Sequence, residues 1–210
     1  MVKMTEGLIF YWTAWLLWGI VTFFMEKNHT RTLCAASILI CLICSNVYIS
    51  FSPYQMMLSF AFFMIVLAYK YVQAIKTWIQ MLATFTIIIG YTSVRIWLVS
   101  TPLSLFMRET FFISIVMTLL IYFIIYDFKS QLILGFFGIA FGELFYSLIS
   151  FTYHIDYTIG TLAFFDSLSL IVLFLLCIDQ VKRGYQWLIS KFITYQYSVG
   201  PHHEKLFKDC

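Results

Sequence analysis

Residues 131–153 read QLILGFFGIAFGELFYSLISFTY and contain a single charged side chain, Glu143. A run of about 20 predominantly apolar residues is long enough for a helix to cross the hydrocarbon core of a bilayer. The rest of the chain has the same character, because 62% of its 210 residues are hydrophobic and only 11% are charged. Soluble domains are closer to half apolar and a quarter charged, so the composition predicts an all-α integral membrane protein.

Apolar runs divided by charged or proline-bearing breaks recur along the whole chain. They span residues 7–25, 33–51, 54–69, 78–99, 111–126, 131–153 and 157–178. The pattern predicts a polytopic transmembrane helix bundle of about seven spans within residues 1–179. Only Ser52-Pro53 separates the second run from the third. These two runs could therefore form a re-entrant pair in place of two full crossings.

The distribution of Lys and Arg predicts the orientation, because basic residues near span ends are retained in the cytoplasm. With the amino terminus outside, ten basic residues fall on the cytoplasmic side and three fall outside. The cytoplasmic set is Lys27, Arg31, Lys70, Lys76, Lys129, Lys182, Arg183, Lys191, Lys205 and Lys208, and the outer set is Lys3, Arg95 and Arg108. We therefore predict an outer amino terminus and a cytoplasmic carboxyl terminus.

The segment after the seventh run is amphipathic. Its apolar side chains recur at helical spacing and are Val181, Tyr185, Leu188, Ile189 and Phe192. Residues 180–196 are therefore predicted to form an interfacial amphipathic helix on the inner leaflet, or equally a juxtamembrane stalk. Residues 197–210 are predicted to be a disordered cytoplasmic tail.

Two acidic residues, Glu143 and Asp166, lie well inside apolar runs. An ionised carboxylate at such a position costs on the order of 3 kcal/mol, so it is rarely left facing lipid. Counting inward from a tight outer connection at residues 153–157 puts both about 14 to 15 Å below the outer boundary. We therefore expect both carboxylates to face the interior of the bundle at the same depth.

Polar neighbours of these acids suggest a ligand site. Tyr146 shares a helix face with Glu143, and Arg95 lies near the outer end of the fourth run. The functional hypothesis is a site formed by Glu143, Asp166, Arg95 and Tyr146, open to the outside, for a cation, a proton or a polar head group. The structural alternative is that the acids only specify helix packing, and Arg95 could simply extend outward to the head groups.

Small residues predict close helix packing at two places. Gly138-x-x-x-Gly142 allows another backbone to approach, and Cys41 and Cys44 belong to a small, mildly polar stripe on the second run. A redox or metal role for Cys41-x-x-Cys44 is disfavoured, because a thiolate at mid-bilayer is costly and no histidine lies in any predicted span. We expect neither a metal nor a cofactor.

Three segments resemble a known family. They are Tyr11-Trp12, Trp15, Trp18 and Phe23-Phe24-Met25 in the first run, Gly142-Glu143-Leu144 in the sixth, and Ile159-Gly160 with Phe165-Asp166 in the seventh. In these motifs and in its layout the chain resembles the YphA-type small membrane proteins of Bacillus-like bacteria. The resemblance implies a multi-pass protein of the bacterial plasma membrane and supplies no catalytic residues.

Three classes of function remain open from the sequence. The first is a non-enzymatic membrane component involved in assembly or interaction, which needs only the packing features. The second is small-molecule or ion binding or transport through Glu143 and Asp166. The third is an intramembrane lipid hydrolase, for which Arg95 alone could stabilise an electrophile. The expected partners are the lipid bilayer and either another membrane protein or a small polar ligand, without nucleic acid.

Overall fold

The computed structural model describes residues 6–51, 54–100, 108–153 and 157–206. These residues form seven α-helices, a short 3-10 helix and three β-strands. In chain order they are α1 (Leu8–Phe24), α2 (His29–Ile43), the 3-10 helix (Cys44–Asn46), β1 (Tyr48–Phe51), β2 (Tyr54–Met57), α3 (Leu58–Ala74), α4 (Trp78–Ser100), α5 (Glu109–Ile124), α6 (Phe128–Thr152), β3 (Thr158–Ile159) and α7 (Leu162–Leu206). The chain forms two compact units, and the boundary between them lies between Val172 and Leu173, inside α7.

Helix lengths confirm the predicted class of helical membrane protein. Four segments are long and apolar enough to cross a bilayer: His29–Asn46, Trp78–Ser100, Phe128–Thr152 and Leu162–Lys191. The remaining helices α1, α3 and α5 are apolar and have 16 or 17 residues, which gives about 25 Å at 1.5 Å per residue. The seven helices match the predicted helices in number, and the number of complete crossings stays a prediction.

Residues 48–57 differ from the two apolar runs predicted there. Tyr48–Phe51 and Tyr54–Met57 pair as antiparallel strands, and β3 adds to β2 in parallel. Aromatic and β-branched residues favour strands, and a proline such as Pro53 lacks the N–H that a helix interior needs. The second run therefore ends as a helix at Ile43, and the third begins as a helix only at Leu58.

The sheet marks one end of the bundle in the first compact unit, which we call the strand end. The sheet pairs two strands from the connection between α2 and α3 with one strand from the connection between α6 and α7. The start of α1 lies there too, because the backbone N–H of Gly7 donates to Asp166 near the start of α7. Unpaired strand edges are unfavourable in hydrocarbon, so this location beyond the helix ends suits the sheet.

Helices α4 and α6 pack side by side and run in the same direction. Ile87 lies against Gly138 and Tyr91 lies against Gly142, so a step of four residues along one helix matches a step of four along the other. A Cβ atom placed on Gly142 would lie 3.2 Å from the backbone oxygen of Ile88. The two glycines therefore bring α4 and α6 into backbone contact.

Helix α7 continues across the boundary predicted between residues 179 and 180. Its 45 residues include the whole segment predicted as a separate amphipathic helix, and it reaches Leu206 within the predicted disordered tail. An ion pair of 2.8 Å between Arg183 Nε and Asp179 Oδ2, four residues apart, bridges the predicted boundary. Gly184 lies inside this helix, and one interior glycine costs only about 1 kcal/mol, so it need not end the helix. Residues 207–210 lie outside the described residues.

Candidate functional site

Glu143 lies on the face of α6 that contacts α4, and its side chain is completely buried. Tyr91 of α4 donates a hydrogen bond of 2.6 Å from its hydroxyl to Oε2 of Glu143. The hydroxyl of Tyr157, in the connection between α6 and β3, donates to Oε1. Each carboxylate oxygen therefore accepts a hydrogen bond from a different tyrosine.

Arg95 completes this cluster one helical turn after Tyr91. Its Nε atom lies 3.9 Å from Glu143 Oε2, and its Nη2 atom donates to the hydroxyl of Tyr157. The ring centroids of Tyr146 and Tyr157 lie 4.8 and 5.4 Å from its Cζ atom. The two rings are perpendicular to each other and both lie close to the guanidinium, so cation–π attraction helps to hold the side chain in place. Arg95 thus points into the bundle.

Parallel packing of α4 and α6 explains why these residues meet. Tyr91 and Arg95 are four residues apart on α4, and their neighbours Gly142 and Tyr146 are four apart on α6. A Cβ atom on Gly142 would approach the Tyr91 ring to 2.9 Å, so glycine makes room for that ring. The hydroxyl of Thr92 also donates to the backbone oxygen of Gly142 at 3.2 Å.

Asp166 has a different kind of surroundings. It lies in the second turn of α7, is 1% exposed, and accepts hydrogen bonds of 2.8 Å from the backbone N–H groups of Gly7 and Phe10. Helix α1 has no side-chain cap of its own, since the residue before it is Gly7 with a φ of 91°. Asp166 therefore caps α1 from another helix, in the role that Ser or Asp plays within a chain segment.

Neighbouring contacts extend this junction between α1 and α7. A Cβ atom on Gly7 would lie 3.1 Å from Leu162, the first residue of α7. The hydroxyls of Thr13 and Ser169 are 2.9 Å apart, one turn or less beyond the cap, and the rings of Phe10 and Phe165 are 5.0 Å apart. The start of α1 is thus fixed against α7 by polar and aromatic contacts.

The structure brings together three of the four residues of the hypothetical ligand site. Glu143, Arg95 and Tyr146 cluster, whereas Asp166 shares no hydrogen-bond partner with Glu143 among the described residues. The estimate of equal depth assumed a helix from Tyr157, but α7 begins at Leu162. From the helix ends at this side, Asp166 is about 6 Å deep and Glu143 about 13.5 Å.

Tyr157 and the backbone N–H groups of α1 were not among the residues singled out from the sequence. The run predicted as the seventh span begins at Tyr157, whereas in the structure this residue precedes a strand. The sequence does show that α1 lacks an N-cap residue, because no Ser, Thr, Asp or Asn stands directly before Leu8. A buried helix start without such a residue needs an acceptor from elsewhere in the chain.

The other residues predicted for helix packing lie on α2 and at the start of the 3-10 helix that follows it. Cys41 and Cys44 are free thiols of intermediate exposure, and none of the residues of α2 is buried. Within the ranges that the structure describes, no three His, Cys, Asp or Glu side chains form a group able to hold a metal ion.

Apolar helices of spanning length, joined by buried polar contacts, define a helical integral membrane protein. A family model confirms this class and the resemblance drawn from the motifs. The chain belongs to the family of YphA-like integral membrane proteins, whose model matches residues 6–199. Comparisons with curated proteins and with solved structures found no match.

Proposed function

We propose that this protein is a non-enzymatic component of the cell membrane that acts through assembly or interaction with another membrane protein. The observation that carries this proposal is that both buried carboxylates are engaged by donors of the same chain. Glu143 accepts from two tyrosines, and Asp166 accepts from two backbone N–H groups of α1. Acids used in this way stabilise helix packing, which is the role expected of a scaffold.

The outer surfaces of α1 and α2 support an interaction role. Only Phe10 and Ala14 are buried on α1, and a Cβ atom on Gly19 would find nothing within 4 Å. Cys41 on α2 and Cys44, the first residue after it, are partly exposed as well. Small residues left on the surface of a membrane bundle permit a further helix to approach closely.

Occupied carboxylates weaken the two other hypotheses. A cation bound between Glu143 and Asp166 would need oxygens of both carboxylates within reach of one ion, yet among the described residues the two acids share no hydrogen-bond partner. A lipid hydrolase would need a general base with an oxygen open to water. In both residues the oxygens already accept hydrogen bonds from the protein.

The same proposal includes an outer amino terminus in the plasma membrane, on the basis of the Lys and Arg distribution. Under this orientation the strand end, with Arg95 and Tyr157 near it, faces outward. Lys3→Cys and Lys205→Cys, each in a variant without native cysteines, test this with an impermeant maleimide on intact cells. We expect labelling at position 3 only, and labelling at position 205 only would reverse the orientation.

The decisive experiment separates stability from function. Glu143→Gln and Asp166→Asn are expressed in cells, and membrane abundance is scored beside the phenotype that deletion of the protein produces. We expect both variants to lose abundance, with any loss of function proportional to that loss. Normal abundance combined with lost function in either variant would replace the scaffold proposal with a chemical or ligand-binding role.

A further inference from the structure

Arg95 has more hydrogen-bond donors than its neighbours accept. A guanidinium carries five N–H groups, and within the described residues only Nη2 donates, to Tyr157. Its Nε atom is buried without a hydrogen bond, because the 3.9 Å to Glu143 Oε2 is an ion-pair distance too long for one. An unpaired buried donor is unfavourable, so this arginine is incompletely satisfied.

The nearby carboxylate does not supply the missing acceptors. The Nε atom lies 3.9 Å from Oε2, beyond hydrogen-bond distance, and the two oxygens accept from Tyr91 and Tyr157. The guanidinium also lies against the rings of Tyr146 and Tyr157. The arginine is thus oriented by rigid neighbours while several of its donors stay open. This combination of fixed geometry and open donors is typical of arginines that bind planar or tetrahedral oxyanions.

Arg95 lies closer to the strand end than Glu143 does. Arg95 lies five residues before the last residue of α4, Ser100, which is about 7.5 Å along the helix axis. Its side chain keeps 17% of its surface exposed, whereas that of Glu143 keeps none. A ligand that enters from this end therefore meets the arginine before it meets the acid.

We propose that Arg95 binds an oxyanion, a phosphate or carboxylate group, with Tyr146 and Tyr157 as the walls of the site. This inference goes beyond the assembly role, since a scaffold needs no ligand. Glu143 acts as a positioning residue: it holds the hydroxyl of Tyr157, which in turn accepts from Arg95. The phosphate could belong to a lipid head group or to a free anion, and both sources present the same oxygens to the guanidinium.

The test uses the purified full-length protein and two separate probes. In an uncharged detergent, inorganic phosphate is titrated against sodium chloride of matched ionic strength, and thermal unfolding is followed by tryptophan fluorescence. In the second arm, the protein is placed in nanodiscs of phosphatidylcholine with or without phosphatidylglycerol. We expect either inorganic phosphate or phosphatidylglycerol to raise the unfolding midpoint of the wild type. A response to phosphate indicates a free anion as the ligand, and a response to phosphatidylglycerol indicates a lipid head group.

Two substitutions at Arg95 and one control complete the test. Arg95→Lys keeps the positive charge but loses the planar fork, so we expect at least tenfold weaker binding, and Arg95→Gln should abolish binding. Arg183→Gln removes an exposed guanidinium from the second compact unit and should bind as the wild type does. If Arg95→Gln does not fold, the binding measured for Arg95→Lys alone tests the proposal. No response of the wild type to either probe, or unchanged binding by Arg95→Lys, overturns the proposal.

Discussion

Glu143 and Asp166 are both buried acids in apolar helices, yet the protein accommodates them by different means. Glu143 is held by side chains of α4 and of the α6–α7 connection, whereas Asp166 is held by the backbone of α1. Side-chain donors can be replaced one at a time or rearranged around a ligand. Backbone donors cannot be released without opening the start of a helix. The first environment therefore suits adaptation and the second suits permanent assembly.

The largest effect is expected from Glu143→Ala. It removes the acceptor of two tyrosine hydroxyls and leaves Arg95 without its counter-charge. Breaking a buried pair by removing one partner costs about 3 to 5 kcal/mol of unfolding free energy. The measurement is denaturation by sodium dodecyl sulfate in mixed micelles. Glu26→Ala, at an exposed acid between α1 and α2, should change stability by less than about 0.5 kcal/mol.

The second largest effect is expected from Asp166→Ala. We expect the free energy of unfolding to fall by about 2 to 4 kcal/mol, because two buried N–H groups of α1 lose their acceptor. Asp127→Ala is a matched comparison, since Asp127 is an exposed cap that accepts from Ser130 at the start of its own helix. An ordinary cap is worth about 0.5 to 2 kcal/mol. Equal losses of unfolding free energy in the two variants would show that a cap from another helix stabilises the protein no more than an ordinary cap does.

A smaller loss is expected where α4 touches α6. In Gly138→Ala the new Cβ would approach Ile87 Cγ2 to 2.7 Å and Cβ to 3.0 Å. The β-branched neighbour is stiff, so overpacking should cost about 1 to 3 kcal/mol. Gly19→Ala is the control, because its Cβ would meet nothing within 4 Å and alanine favours the helix. The contact is refuted if both variants are equally stable.

The smallest effect concerns the edge of the α1–α7 junction. Ser169→Ala removes the hydroxyl that hydrogen-bonds with Thr13, at a cost of about 1 kcal/mol. The control is Ser37→Ala, whose exposed hydroxyl donates only within its own helix, to the backbone of Cys34. If the Ser169→Ala protein is as stable as the Ser37→Ala protein, the hydrogen bond between Thr13 and Ser169 does not stabilise the α1–α7 junction.

Hydropathy was enough to predict the helical membrane class, because a long apolar run without charge has few alternatives to a helix in lipid. It also predicted that Glu143 and Asp166 would be buried, since leaving a carboxylate in lipid is costly. The hairpin at residues 48–57 was missed because short aromatic and β-branched runs fit either a strand or a helix. The sequence left open whether residues 180–196 form a separate helix or a stalk that continues the seventh span, because an apolar-to-amphipathic change in composition does not itself break a helix.

The partners of the two acids required the tertiary structure. A shared helix face predicts Tyr146 beside Glu143, and a position near the outer end of the fourth run predicts Arg95 there; both do cluster with Glu143. Asp166 was assigned to the same site from a helix start that lies five residues too early. Its actual partners are backbone groups, which every sequence contains and which no residue type reveals. Only the uncapped start of α1 carried a hint of them.

Glu143 and Asp166 stabilise separate junctions, and a double-mutant cycle measures whether the two act independently. Unfolding free energies are measured for Glu143→Gln, Asp166→Asn, the double variant and the wild type under the same conditions. Because the carboxylates share no hydrogen-bond partner among the described residues, we predict that the two losses add within about 0.5 kcal/mol. A coupling energy of about 1 kcal/mol or more would show that the two acids belong to a single site.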